Sequence, residues 1–177
     1  MKKVSKQRIL ESKRKWLHKE HPTWSEAEVG NFMYFEKSDN NTNGLTQCIL
    51  YFLKYEGCQA ERINTTGKFT DNRKIVVDAV GFQREIGSKS WQKGTGTKGS
   101  ADISATIPVS IHGVMVGLSV KIEVKFGKDR QSIEQKKYEQ SINDAGGVYM
   151  IVKDMDSFIE WYDNFKLNGL DDLKKSN

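Results

Sequence analysis

The hexapeptide Val120-Lys121-Ile122-Glu123-Val124-Lys125 alternates apolar and charged side chains. An extended strand has a side-chain period of two, so the three apolar residues are predicted to share one face, and Lys121, Glu123 and Lys125 to share the other. A half-buried strand that carries Glu and Lys side by side is unusual. The hexapeptide therefore predicts a sheet with one apolar face and a candidate functional site on the opposite face.

A second predicted strand, residues 101–111, precedes this one and is joined to residues 114–125 by His112-Gly113. A short X-Gly connection between two alternating runs is typical of a hairpin. Antiparallel pairing about that turn brings Asp102 opposite Glu123, because the two positions are equally far from the turn. The sequence therefore permits two carboxylates side by side on one sheet face.

Two adjacent carboxylates and a lysine suit phosphodiester hydrolysis. Mg²⁺ or Mn²⁺ takes oxygen ligands, which Asp102, Glu123 and the backbone carbonyl of Val124 can supply. Lys125 can contact the scissile phosphate or the attacking water. Without a cation the two carboxylates repel each other, so at least one pKa should be raised. The alternative is a solvated salt bridge between Glu123 and Lys125 on the protein surface.

The rest of this part of the chain predicts helices and strands around the hairpin. Apolar residues in 45–53 recur at helical spacing, and Gly57 follows as a residue suited to end the helix. Residues 58–63 and 148–152 read as strands. A final helix packs through its apolar residues, with Asp154 or Asp156 as its cap; those residues are Phe158, Ile159, Trp161, Tyr162 and Phe165.

A further helix is predicted to run from Ser132 to Ala145, with four side chains facing inward: Ile133, Tyr138, Ile142 and Ala145. Ser132 and Gln135 have the spacing of a capping box. Gln135 has a second candidate role, which is to orient a water or phosphate in the site. The two roles are compatible. The order of elements predicts an α/β fold with a mixed central sheet flanked by helices.

The N-terminal part predicts a basic helical extension. Residues 1–21 hold eight Lys or Arg and two Glu, within a total net charge of +5. Helices are predicted over 4–19 and 24–37, and a polar turn cluster at 38–44 marks a boundary. We therefore expect an extension over 1–42, a main domain over 43–167 and a flexible tail over 168–177. A basic arm suits a polyanionic partner, and a solvated helix face is the alternative.

Residues 68–100 show the weakest secondary-structure pattern in the chain. Residues 75–77 predict a strand, and the Lys- and Gly-rich remainder predicts a mobile basic loop, centred on 84–98. The loop lacks the order of a phosphate-binding P-loop, and a strand rather than a helix follows it.

Composition places the chain among globular proteins, with 37% apolar and 29% charged residues. No apolar run approaches the length needed to cross a bilayer, and no secretory signal begins the chain. Cys48 and Cys58 give neither a metal-binding spacing nor a disulfide framework. We expect a cytoplasmic protein, in the host cytoplasm if a phage encodes it.

Taken in order, four segments resemble the PD-(D/E)XK nuclease superfamily, and within it the VRR-NUC type and Holliday-junction-resolvase-like enzymes of phages and mobile elements. These segments are Gly99-Ser100-Ala101-Asp102-Ile103, Ile122-Glu123-Val124-Lys125, Ser132 to Tyr138 with Gln135, and Ala145-Gly146-Gly147-Val148. Upstream, Gln47, Arg62 and Asn64 match the first helix and strand of the family. The resemblance covers roughly residues 44–165 and implies a restriction-endonuclease-like core.

The resemblance implies that Asp102, Glu123 and the Val124 carbonyl hold the metal, that Lys125 is catalytic and that Gln135 completes the site. Ala101 replaces the usual proline, which we expect to be tolerated. Leu45 stands where the family often has an acidic residue, and Glu36 is the candidate substitute.

The expected function is a Mg²⁺- or Mn²⁺-dependent endonuclease acting on DNA, with branched DNA as one candidate substrate. The cations and polar residues expected to bind DNA are Lys13, Arg14, Lys15, Arg62, Asn64, Lys89, Lys93 and Lys98. Two rivals stay open: a DNA-binding module that has lost catalysis, and an accessory protein that docks a partner through residues 1–40, suggested by Trp16 and Trp24. A homodimer also stays open.

Overall fold

The computed structural model describes residues 3–64, 67–92, 94 and 96–168. They form an α/β fold around a mixed four-stranded sheet. The helices are α1 (Lys3–Glu20), α2 (Glu26–Asn31), α3 (Thr42–Tyr55), α4 (Ile133–Asp144) and α5 (Met155–Asn168). The strands are β1 (Gln59–Arg62), β2 (Lys68–Asp71), β3 (Lys74–Val77), β4 (Gln83–Ile86), β5 (Lys89–Gln92), β6 (Ile103–Ile111), β7 (Val114–Val124) and β8 (Val148–Val152).

The central sheet has the strand order β1-β6-β7-β8. β1, β6 and β7 are antiparallel neighbours, whereas β8 runs parallel to β7. In the β6–β7 hairpin, Ile103 pairs with Ile122 and Ile111 pairs with Val114. His112 and Gly113 both adopt positive φ in the turn, as a tight hairpin of this type requires. The predicted hairpin and its register are confirmed.

One face of the sheet packs against α3 and α5, and α1 packs on these two helices. The predicted apolar stripe of α3 is fully buried there, and Asn41 caps the helix. Cys48 is part of this core, as predicted. Asp154 caps α5 by accepting a hydrogen bond from the backbone N–H of Ser157 at 2.8 Å. The apolar residues of the hairpin, among them Ile103, Ile122 and Val124, fill the other side of the core.

The opposite face of the sheet carries α4. Ser132 and Gln135 form the predicted capping box at its start. The predicted inward face is wrong in part, because Ile133 is 71% exposed and Ala145 is also exposed. Tyr138 packs edge-to-face on Tyr149 of β8, with ring centroids 6.2 Å apart. The helix thus touches the sheet through few apolar side chains, because the surface beneath it is largely polar.

The predicted N-terminal extension packs on the main body. Ile9 of α1 is fully buried in the core, and Arg8 forms ion pairs with Glu56, directly after α3, and with Asp163 of α5. The second predicted helix, 24–37, is shorter than expected. It ends at Asn31, and the chain then runs without regular structure to bury Phe35.

Trp16 and Trp24 are half-buried rather than exposed. Trp16 packs against Tyr55 and beneath the Lys54 ammonium. Trp24 stacks on His21, with ring centroids 3.8 Å apart, and contacts Phe32 on its other side. The exposed tryptophans that suggested a docked protein partner are therefore already engaged within the chain.

Residues 68–92 form a separate β-ribbon in place of the predicted basic loop. β2 pairs with β5 and β3 pairs with β4, and within the described residues none of these strands joins the central sheet. The predicted strand at 75–77 corresponds to β3. The expectation of a loop over 84–98 is wrong for β4 and β5, which are strands. The sequence did not predict them, because their exposed side chains lack the alternation of apolar and polar residues that identifies a strand packed on one face.

At the C-terminus, residues 169–177 of the predicted tail lie outside the described residues, and Asn168 ends α5. No helix in the ranges given above has the length and apolar character needed to cross a membrane.

Candidate active site

Asp102 lies directly before β6, one position beyond the Ile103–Ile122 pair and therefore opposite Glu123. Its Oδ2 accepts a hydrogen bond from the backbone N–H of Val124 at 2.9 Å. Its backbone carbonyl accepts another from the N–H of Ile63, just after β1, at 2.8 Å. These two bonds hold Asp102 between the ends of β1 and β7, as the predicted hairpin register requires.

Glu123, Lys125 and Gln135 form a closed hydrogen-bonded ring. Oε1 of Glu123 accepts from Nε2 of Gln135 and pairs with Nζ of Lys125 at 2.9 Å. Nζ of Lys125 also donates to Oε1 of Gln135 at 3.1 Å. Glu123 and Lys125 are only 3% and 6% exposed. The alternative of a solvated surface salt bridge is therefore wrong.

Burial and charge shift the ionisation of this ring. Burial raises the pKa of Glu123 above its ordinary value, and the charge of Asp102 adds to the rise, although hydrogen bonds from Lys125 and Gln135 oppose it. Burial alone would lower the pKa of Lys125, but Glu123 and Asp129 outweigh burial and raise it. The expected raised carboxyl pKa is thus confirmed for Glu123, and Lys125 stays cationic.

Gln135 forms the predicted capping box, and its side chain also reaches the candidate site. Its backbone N–H donates to Oγ of Ser132 at 3.2 Å, and its Oε1 accepts from the backbone N–H of Ser132 at 2.9 Å. The same side chain reaches Glu123 and Lys125. The helix cap therefore fixes the orientation of the amide, which presents its oxygen to the lysine and its nitrogen to the carboxylate.

Gly99 brings the loop before Asp102 close to the first turn of α4. It has a φ of +83°, and a Cβ at this position would lie 2.5 to 2.8 Å from backbone atoms of Glu134 and Gln135. Such a distance is too short for any side chain. A glycine is therefore required where the Asp102 loop meets the helix that carries Gln135.

The oxygens at this end of the hairpin fit a hard divalent cation. Oε2 of Glu123 is buried and, within the described part of the chain, accepts no hydrogen bond. A buried oxygen without a donor is costly unless a cation or another group satisfies it. The Val124 carbonyl points to the same side of the strand as its N–H, which faces Asp102. Asp102, Glu123 and this carbonyl are therefore the candidate ligands for a single ion.

The predicted third acidic ligand is not part of this group. Glu36 lines a small groove beside Lys13 and Tyr34, and its charge acts on Lys13. Leu45 is fully buried in the core. Across the described ranges, no three or more His, Cys, Asp or Glu side chains cluster as a metal site. The proposal of Glu36 as a substitute ligand is therefore wrong. The site offers the two carboxylates of Asp102 and Glu123, and Mg²⁺ commonly takes two carboxylates from a protein.

The N-terminal cations expected to bind DNA are partly engaged within the chain. Lys13 donates to the carbonyl of Tyr34 at 2.9 Å and lies over the Tyr34 ring. Arg14 forms an ion pair with Glu26. Lys15 is exposed at the edge of a groove between α1 and the end of α3.

The remaining cations lie nearer to the carboxylates or on the ribbon. Lys98 precedes Gly99 and pairs with Glu134 at 2.9 Å. Arg62 donates to Asn43 at 2.7 Å, on the α3 side of the sheet edge. Asn64 is exposed just beyond Ile63, and Lys89 is exposed on β5. Lys93 lies outside the described residues.

Two residues of the site were not predicted from the sequence. Asp129 lies 3.5 Å from Nζ of Lys125, in the loop that leads to α4. Tyr149 is buried on β8, and burial together with the charge of Glu123 raises its pKa. Asp129 has the i, i+4 spacing from Lys125 as a weak signal. Tyr149 has none, because its position depends on the parallel pairing of β8 with β7.

Comparison of the chain with family models, curated proteins and solved structures finds no match.

Proposed function

We propose that this chain is a Mg²⁺- or Mn²⁺-dependent endonuclease that hydrolyses phosphodiester bonds in DNA. In this proposal the mixed sheet is a restriction-endonuclease-like core of the PD-(D/E)XK superfamily, VRR-NUC type. The observation that carries it is the buried, unpartnered Oε2 of Glu123, which among the described residues has no donor and lies beside Asp102 and a buried, cationic Lys125 on the same face. A structural salt bridge would leave neither the orphan oxygen nor the second carboxylate.

Each residue of the site has a distinct role in this proposal. Asp102, Glu123 and the Val124 carbonyl hold the cation. When bound, Mg²⁺ neutralises charge on the phosphate oxygens and lowers the pKa of a bound water. Lys125 donates from its ammonium to a non-bridging phosphate oxygen or holds the attacking water. Gln135 positions both Glu123 and Lys125 through its fixed amide.

The basic surface supplies affinity rather than sequence preference. Lys98 lies on the loop that carries Asp102, and exposed cations also line α1 and the ribbon. Contacts to phosphates position a nucleic acid without reading its sequence. The proposal therefore includes DNA binding that weakens steeply as the salt concentration rises.

A second candidate is a DNA-binding protein of the same fold that has lost catalysis. It is favoured by the fully buried Leu45 and by the position of Glu36 away from Asp102 and Glu123. In that case the chain would bind DNA with the same salt dependence, and divalent cations would have no effect on DNA integrity.

A cleavage assay separates the two candidates. The protein is incubated with supercoiled plasmid, linear duplex, single strand and a synthetic four-way junction, each with Mg²⁺, Mn²⁺ or EDTA. We expect metal-dependent cutting that falls by roughly 100-fold or more in Lys125→Ala, because such a group stabilises charge that develops in the transition state.

Lys121→Ala is the matched control. Lys121 lies on β7, on the same face as Glu123, but its ammonium donates to Ser104 and not to Glu123. Cutting should persist in this variant. The nuclease proposal would be overturned if folded wild-type protein binds DNA but cuts none of the substrates with either metal. That result would favour the DNA-binding protein that has lost catalysis.

A further inference from the structure

The strands β2 to β5 form one continuous arm. Lys68 pairs with Gln92, and Lys74 pairs with Ile86. Within each pair, the two residues are equally far along the chain from Val80, so the two short ladders share one register and one turn. The N–H of Asn72 donates to the carbonyl of Ser88 between them. With about 3.3 Å per residue, an arm from Lys68 to Val77 is roughly 30 Å long.

The arm exposes large apolar side chains along its length and at its tip. Val80 lies at the centre of the turn and Phe82 at its end, and they are 81% and 71% exposed. Ile75 and the cross-strand pair Phe69–Trp91 are exposed as well, and by the strand period of two they lie on the face opposite Lys74. An isolated two-stranded ribbon of this kind has no core of its own, so the exposed apolar residues at its tip indicate a partner that covers them.

The charge of the arm favours a polyanion as that partner. Residues 68–92 hold five Lys or Arg and three Asp or Glu, a net charge of +2. By the strand period of two, Lys68, Lys74 and Arg84 fall on one face of the ribbon, where Arg84 pairs with Asp78 of the turn at 3.3 Å. Asp71 and Glu85 fall on the other face, where both pair with Arg73. One face is therefore cationic.

The base of the arm adjoins the candidate active site. The chain enters the arm after Ile63, whose N–H is bonded to Asp102. It leaves through the loop that contains Gly99, which packs on the first turn of α4 and leads directly to Asp102. A duplex held along the arm would therefore pass beside the two carboxylates.

We propose that residues 68–92 are a DNA-binding arm that lies in a groove of duplex DNA, with its cationic face toward the phosphates and with Val80 and Phe82 against the bases. A two-stranded ribbon has the width that the major groove admits. Apolar side chains at such a tip can unstack neighbouring bases. The inference rests on the proposed function in taking DNA as the partner, and it adds the surface that holds the duplex.

Binding without cleavage tests the arm separately from catalysis. Full-length protein is titrated against a fluorescent duplex in EDTA at several salt concentrations. Lys74→Gln should weaken binding by up to roughly tenfold and reduce the slope of log K against log salt by roughly 1, since one phosphate contact is lost. The double variant Val80→Ser/Phe82→Ser should weaken binding and leave the slope unchanged, because apolar contacts release no counterions.

Lys166→Gln is the matched charge control. Lys166 lies on α5 and donates to the carbonyl of Pro108 on β6, a strand of the central sheet rather than of the arm. This variant should bind DNA as wild type does. A duplex containing 2-aminopurine should brighten with wild-type protein and not with the tip double variant.

Two results would overturn the proposal that residues 68–92 are a DNA-binding arm. One is unchanged DNA affinity and slope in all arm variants, with folding verified by circular dichroism. The other is a wild-type dimer in sedimentation that the tip double variant converts to monomer without loss of DNA binding, which would make a second copy the occupant. Neither result depends on whether the protein cuts DNA. Loss of cutting in Lys125→Ala, with DNA affinity retained, would still support the nuclease.

Discussion

The side-chain amide of Gln135 donates to Oε1 of Glu123, and this bond joins the first turn of α4 to the end of β7. The same amide is held by Ser132 in the helix cap. The start of α4 is thus a part of the site, although no residue of the helix is buried. The orientation of Glu123 and Lys125 depends on how that helix begins.

Gln135→Ala should reduce DNA cleavage much more than Ser132→Ala does. Ser132→Ala removes the cap acceptor, which costs about 1 kcal/mol of stability, but leaves the Gln135 side chain able to reach Glu123 and Lys125. Gln135→Ala removes the contact to both. Cleavage rates at saturating Mg²⁺, with unfolding measured in parallel by urea titration, provide the comparison. Equal loss of cleavage in the two variants would reduce Gln135 to a capping residue.

Glu123→Gln should abolish the stabilisation of the protein by Mn²⁺ or Mg²⁺. An ion that binds only the folded state adds about 2.7 kcal/mol when its concentration is about 100 times its Kd, and this addition appears as a rise in Tm. Gln keeps the size of the side chain but removes the charge that a cation requires. Thermal unfolding with and without metal measures the rise. Glu160→Gln, on the exposed side of α5, should retain it, and a full rise in Glu123→Gln would exclude Glu123 as a ligand.

Gly99→Ala should impair cleavage, whereas Gly113→Ala should not. Both glycines have positive φ, +83° and +81°, so alanine introduces comparable backbone strain of about 1 kcal/mol at each position. Only at Gly99 would the new Cβ meet the backbone of α4, because nothing lies within 4 Å of it at Gly113. Cleavage assays and urea unfolding of both variants separate strain from displacement of the Asp102 loop. Matching cleavage rates would show that the loop tolerates the shift.

The interaction of Arg8 with Glu56 should make the docking of α1 sensitive to acid. Burial alone would raise the pKa of Glu56, but hydrogen bonds from Ser12 and Arg8, with the Arg8 charge, outweigh it and lower the pKa below its ordinary value of 4.5. The folded state therefore binds the proton less readily than the unfolded state. The ionised Glu56 therefore contributes its full stabilisation of the folded state well above pH 4.5. This contribution is lost as the pH falls through the lowered pKa of Glu56 in the folded state.

Glu56→Gln measures that contribution. At about pH 7 we expect a free energy of unfolding about 2 kcal/mol lower than that of wild type, a typical size for hydrogen bonds to a charged group. The difference should shrink as the pH falls below 4.5. Urea titrations of both proteins at several pH values provide the measurement, with Glu160→Gln as an exposed control. A difference that is independent of pH would contradict the assignment.

Local patterns predicted the parts of this structure that short-range rules control. The apolar stripe of α3, the cap of α4 and the β6–β7 hairpin all depend on residues close together in the chain. The hairpin turn also set the register, so the opposition of Asp102 and Glu123 followed from counting residues. The direction of the pKa shift of Glu123 was predicted from that opposition, although burial is its largest cause and the charge of Asp102 only adds to it.

Long-range packing decided what those patterns left open. Ile133 matched an inward position of α4 but is exposed, because the sheet surface beneath the helix is polar. Glu36 lies in a groove beside Lys13 and, within the described residues, joins no acidic cluster with Asp102 and Glu123. Apart from β3, the strands of the ribbon at 68–92 were missed, because they pair with each other and carry mostly exposed side chains.

The sequence by itself determined an α/β chain with a hairpin that opposes Asp102 and Glu123, because strand period and turn length are local properties. Only the tertiary structure decided that Glu123 and Lys125 are buried together, that one oxygen of Glu123 has no donor within the described chain, and that Asp129 and Tyr149 lie beside them. Burial and desolvation depend on which elements cover a strand. That cover is set by the parallel pairing of β8 and by the docking of α4, which join residues far apart in the chain.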